Sequence, residues 1–131
     1  MIFVDSNIPM YLVGTDHPNK TRARLAVEHA TGQSERMTTD AEVFQEILHR
    51  YSAIDRFDMI QHAFDVLLGI VEDVHGIVLA DVERAKSTLL ERPRLSARDA
   101  LHLAVMARHG ISRILSFDNG FDAVPDVERI A

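Results

Sequence analysis

The segment "SARDALHLAVMARHGISRILSFDNGF", residues 96–121, reads as a helix, a short strand and a tight turn in direct succession. Ser96 stands at an N-cap position with Asp99 three residues on, the spacing of a capping box, and Gly110 closes the helix. "RILSF" is a strand, and it leads into "DNGF", ordinary turn chemistry.

The same alternation continues outward from this segment. "MIFV" reads as a buried strand that ends on Asp5, and "SNIPMYLVG" as a helical turn or two with Pro9 in the first turn. "PNKTRARLAVEHATG" sets Leu25, Ala26 and His29 at helical spacing, with Gly32 as the stop. "ERMTTD" is a strand closing on an N-cap cluster. "AEVFQEILHRYSAI" places Val43, Phe44, Ile47, Leu48 and Tyr51 on one helical face. A second helical run covers about 57–71, "VHGIVLA" is a short strand or extended turn, and "DVERAKSTLLE" is a helix stopped near Pro93. "VERI" adds an edge strand. Short strands alternating with helices predict an α/β domain with a parallel sheet.

A chain of 131 residues is long enough for one domain with its own core, and no repeat or linker divides residues 1–131. The absence of cysteine excludes disulfides, zinc–thiolate sites and thiol nucleophiles, and fits a reducing cytoplasm. The longest apolar run, "AFDVLLGIV", is interrupted by Asp65, so no membrane span is expected. The N-terminus lacks the regions of a signal peptide, and export is not expected. Twenty acids against fourteen bases give a net charge of −6, which argues against a broad phosphate-tracking surface. It is compatible with a small carboxylate site for metal.

Four acids stand out together. Taken singly, Asp5 suits an N-cap, Asp99 a capping box and Asp118 a turn. Glu46 falls roughly 130° from the centre of its helix's apolar face, where it or Glu42 suits solvent. In an open parallel sheet, however, ligands bind beyond the carboxyl ends of the strands. Asp5 and Asp118 follow strands, while Asp99 lies in the first turn of a helix and Glu46 in the second turn of one that also follows a strand. Carboxylates gathered there repel one another unless a cation neutralises them, and hard oxygen donors suit Mg²⁺ or Mn²⁺. Such an ion activates water and clamps a phosphodiester.

With "FVDSN", "TTDAEVFQEILHRY" and residues 96–130, the chain resembles the PIN-domain ribonucleases, and more narrowly the VapC-type toxins of toxin–antitoxin pairs. The most specific part is D-A-L-H-x-A in a helix followed by S-F-D-x-x-F after a strand. The resemblance implies a three-layer α/β/α domain with a central, mostly parallel sheet of about four to five short strands. It implies Mg²⁺-dependent endonucleolytic cleavage of tRNA or ribosomal RNA, with Mn²⁺ as a possible substitute. Asp5, Glu46, Asp99 and Asp118 match the family's metal-binding acids. Ser116 and Asn7 would support them, and Asp122 would be an outer partner. A VapB-type antitoxin and a homodimer are implied as well, with apolar residues of about 40–71 forming an antitoxin groove.

The seven histidines lack a metal-ligand spacing, so packing or surface roles are expected for them, with His102 placed to assist the site. Arg92, Arg94 and Arg98 are candidates for RNA phosphate contacts. Two rival functions fit less well. A phosphoryl-transfer receiver needs a lysine after a late strand, and neither Lys20 nor Lys86 follows one. A non-catalytic binding module with this fold would have no need of all four acids.

Overall fold

The computed structural model describes residues 1–131. β1 (Ile2–Val4) is buried along its whole length, as expected of a strand covered on both faces, and it occupies the middle of a five-stranded sheet. Its neighbours are β2 (Met37–Asp40) and β4 (Arg113–Leu115); β3 (Asp73–His75) and β5 (Glu128–Ile130) form the edges. The order is β3-β2-β1-β4-β5, and every pair is parallel.

Six helices make the crossovers: α1 (Asn7–Val13), α2 (Pro18–Gly32), α3 (Ala41–Ala53), α4 (Ile60–Ile70), α5 (Leu79–Glu91) and α6 (Ala97–Arg108). The chain steps from β1 to β2 to β3 in one direction, then crosses back over both to β4. Right-handed crossovers therefore place α1–α4 on one face and α5–α6 on the other. The packing agrees, since α1 touches α2 and α4, α3 touches α4, and α5 lies along α6. The result is the three-layer α/β/α arrangement. Phe3, Ile8, Val43, Ile47, Leu67 and Ile114 are fully buried between the layers.

Several local expectations shift. Leu25 and His29 are exposed, and α2 instead buries Ala23 and Ala30. α2 packs against α1, and the side chains it buries are small ones, which permit close approach, while the larger Leu25 stays in solvent. On α3, Leu48 is 42% exposed while Glu46 is 6% exposed, so the buried face is rotated toward the acid. The run at 57–71 divides into a 3-10 turn (Phe57–Met59) and α4, with Asp58 gripped by Arg56 at 3.0 Å just before the turn. α5 begins at Leu79, two residues ahead of its expected start, because the Asp81 carboxylate accepts the Val78 amide at 3.0 Å.

Candidate metal centre and its cleft

The strand reversal between β1 and β4 creates the crevice in which open α/β sheets bind ligands. Asp5 sits at its base, where its amide donates to the Leu115 carbonyl at 3.1 Å and joins the two strand ends. Its Oδ1 accepts from the Ser6 amide at 2.8 Å, and its Oδ2 accepts from the Ser116 hydroxyl at 2.7 Å. Ser6, rather than Asp5, occupies the N-cap of α1, so the helix-cap reading of Asp5 gives way to a place in the cleft.

Ser116 is the hub. Besides donating to Asp5, its Oγ accepts from the Asp118 amide at 3.0 Å and from Asn7 Nδ2 at 3.2 Å. Asn7 Oδ1 in turn accepts from the Phe117 amide at 3.3 Å. Side chains from the ends of β1 and β4 and the start of α1 are thereby fixed to one another. Asp118 keeps its turn role, since Oδ1 accepts the Gly120 amide at 2.8 Å, yet it also lines the cleft. Asp99 behaves similarly. Ser96 Oγ accepts its amide at 3.0 Å, and its carboxylate lines the cleft instead of returning a bond to the Ser96 amide.

Glu46 arrives from α3 and is held by a buried histidine. His102, fully buried on α6, donates from Nε2 to Glu46 Oε1 at 3.1 Å and from Nδ1 to Asp40 Oδ2 at 2.8 Å. Asp40 Oδ1 simultaneously caps α3 by accepting the Val43 amide at 2.9 Å. His102 Nε2 also lies 3.9 Å from Asp5 Oδ1. Asp40 and His102 thus join β2, α3 and α6 around the carboxylate cluster. Composition could not have revealed Asp40. The three-residue spacing of Asp99 and His102 on one helical face was the available signal for the histidine.

The electrostatics follow from this crowding. Burial opposes the charge on His102, but its bonds to Asp40 and Glu46 prevail and raise its pKa well above the imidazole range. Burial raises Asp5, against the pull of His102 and the Ser116 hydrogen bond. Asp99 is pushed up to about 7, first by burial and then by the like charges of Asp5 and Asp118.

The four acids line one cleft of about 480 Å³ together with Asn7, His49, Arg50 and Arg98. Ligand atoms of Asp5, Glu46 and His102 lie within 4.8 Å of one another. Glu46 Oε2 is buried and has no hydrogen-bond partner, an arrangement that costs free energy unless a cation or donor meets it. A buried set of carboxylate oxygens with no thiolate fits a hard divalent cation.

Not every expected residue joins the site. Asp122 is exposed and does not line the cleft; it forms a two-point ion pair with Arg129 at 2.9 and 3.0 Å, and Arg129 donates to the Ser116 carbonyl at 3.3 Å. Of the three arginines, only Arg98 lines the cleft, where its Nε lies 3.7 Å from Glu46 Oε1. Arg92 donates to the Ala123 carbonyl at 3.0 Å, and it lines a separate groove with Arg94. Glu42 is half-buried, and its carboxyl is raised by burial and by Glu46, but it does not line the cleft.

The profile of the PIN domain matches residues 2–127. The chain belongs to the PIN-domain family. Within that family it is 56% identical to Ribonuclease VapC13 of Mycobacterium tuberculosis over 131 residues, spanning 100% of both chains. Ribonuclease VapC23 of the same species is 40% identical over 119 residues, 91% of this chain and 94% of that one. The PIN fold is shared with the crystal structure of M. tuberculosis VapC20, described as a sarcin-ricin-loop-cleaving toxin. The TM-score is 0.79 at 22% identity, over 98% of each chain. Rickettsia felis VapBC2, solved bound to a promoter DNA fragment, gives a TM-score of 0.74 at 13% identity, over 99% of this chain and 98% of that one.

Proposed function

We propose that this PIN domain, acting as one unit over residues 1–131, is a Mg²⁺-dependent endoribonuclease toxin of the VapC kind. It cleaves structured cellular RNA, tRNA or ribosomal RNA, and so arrests translation. A cognate VapB-type antitoxin neutralises it, and it works as a homodimer. The carrying observation is the convergence of Asp5, Glu46, Asp99 and Asp118 on one cleft beside a buried, unpartnered Glu46 oxygen. The 56% identity to a VapC ribonuclease supports the activity, and structural neighbours solved as VapBC complexes support the antitoxin.

Asp5, Glu46, Asp99 and Asp118 would hold the ion, with Mn²⁺ as a substitute. Bound there, it supplies Lewis acidity that activates water and offsets the charge of the phosphodiester. The protein's own groups do the rest. Ser116 and Asn7 fix the rotation of Asp5, and Asp40 acting through His102 fixes that of Glu46. A carboxylate oxygen of this set left free of the ion would be suited to take a proton from the attacking water.

Cleavage of total cellular RNA should require Mg²⁺ or Mn²⁺ and fall by about 100-fold or more in Asp5→Asn. Cutting in the presence of EDTA, or equal cutting by the variant, would refute the assignment.

A further inference from the structure

Within the proposed RNase reading lies a problem of charge: four carboxylates face a substrate that is itself a polyanion. Phosphates are held mainly by Arg and Lys, so a cation must serve the cleft. Most of the chain's arginines are already engaged. Arg36, Arg56, Arg108, Arg113 and Arg129 are paired with acids, and Arg22 and Arg92 donate to carbonyls. Arg24 pairs with Glu28, and Arg98 faces Glu46. Arg50, Arg84 and Arg94 have no acidic or carbonyl partner, and only Arg50 lines the acidic cleft.

Its position in α3 makes that freedom informative. Glu46 and Arg50 are four residues apart, about 6 Å along the helix and on one face, the spacing at which an acid and a base ordinarily pair. They do not pair here, because Glu46 turns inward to His102. Arg50 is left exposed on the rim of the cleft. It also lines the adjoining groove, together with Tyr11, His17 and Arg56. The rings of Tyr11 and His17 lie 5.0 Å apart there. A guanidinium shared by two hollows, one acidic and one carrying aromatic and basic groups, is placed where a single strand would pass from one to the other.

We propose that Arg50 is a phosphate anchor for the RNA strand, gripping a backbone phosphate next to the scissile one as the strand runs from the acidic cleft toward Tyr11 and His17. The contact is with backbone alone and carries no base preference. It holds substrate that the carboxylates would otherwise repel, so its effect belongs to binding and not to the chemical step.

The test is equilibrium binding of a labelled single-stranded oligoribonucleotide of mixed sequence, with Ca²⁺ in place of Mg²⁺, over a range of salt. Mg²⁺-dependent cleavage kinetics accompany it. Arg50→Ala should weaken binding on the order of ten-fold and reduce the salt slope by about 0.7 to 1, raising KM with little change in kcat. Arg50→Lys should recover part of the affinity, while Arg84→Ala, equally unpartnered but away from the cleft, should match the wild type. Arg50→Ala binding with unchanged affinity and slope, or a fall in kcat at constant KM, would overturn the anchor while leaving the nuclease reading intact. A wild type that neither binds nor cuts RNA would overturn both. Unchanged RNA binding in a variant that loses only a protein partner would assign Arg50 to protein recognition and overturn the anchor.

Discussion

His102 is the residue on which the site's electrostatics turn. Its imidazole is fully buried and lies between two buried carboxylates, Asp40 and Glu46. Removing one partner from such an arrangement leaves uncompensated charge in a low-dielectric interior. Urea unfolding of His102→Ala should accordingly show a loss of about 3–5 kcal/mol. Asp40→Asn keeps an oxygen for the Val43 amide but removes the charge and the acceptor opposite His102 Nδ1, and should lose about 3 kcal/mol as well. A loss below about 1 kcal/mol in His102→Ala would show that the histidine does not neutralise the cluster. None of this was readable from residue types alone. Asp40 and His102 are 62 positions apart, and a histidine without a ligand spacing is ordinarily a packing residue. Glu46 was legible only through its family resemblance, because its place on the helical wheel suited solvent equally well.

Among the elements, α6 carries Asp99 and His102 and therefore sets the spacing of the site. It is locked to α5 at its far end. Arg108 donates from Nε and Nη2 to the two oxygens of buried Asp81, at 2.8 and 2.9 Å, while Asp81 also caps α5. Asp81→Ala removes the cap and the ion pair together. It should cost about 2 kcal/mol by thermal or chemical denaturation. Asp81→Asn, which keeps an acceptor for the Val78 amide, should cost clearly less; equal losses would show that the cap contributes nothing. The elements themselves were largely legible, because helical periodicity, stop glycines and short β-rich runs are local signals. The face of α2 was not, since helices in close contact can pack through alanine and leave a leucine in water.

For the molecule as a whole, the crowded acids couple stability to pH and to divalent cation. Asp99 titrates near 7 in the folded chain, above the ordinary carboxylate value. Its stabilising contribution is therefore present in acid and is lost as pH rises through about 7. The upward shift of Asp5 has the same sign. In EDTA, Tm should fall between about pH 5 and pH 8, and Asp99→Asn should flatten that fall. Mg²⁺ should raise Tm more at the upper pH, where it competes with fewer protons. Equal stabilisation by Mg²⁺ at both values would show that the ion does not bind the titrating cluster.

Most of the short strands, the helices between them and the acids at their ends were legible locally in the sequence by itself, because propensity, capping and turn chemistry act over a few residues. The segment at β3 was open between strand and extended turn, and its pairing with β2 makes it a strand. Read alone, Asp99 and Asp118 were a capping residue and a turn residue, and the structure keeps part of each role through Ser96 and Gly120. Long-range packing brings these acids into one cleft with Asp5 and Glu46, makes His102 the buried countercharge, and leaves Asp122 outside the cleft on Arg129. Those outcomes depend on the strand order β3-β2-β1-β4-β5, which places the ends of β1, β2 and β4 side by side. Which buried oxygen meets which donor is fixed by contacts between residues as many as 111 positions apart, as for Asp5 and Ser116, and no local pattern encodes them.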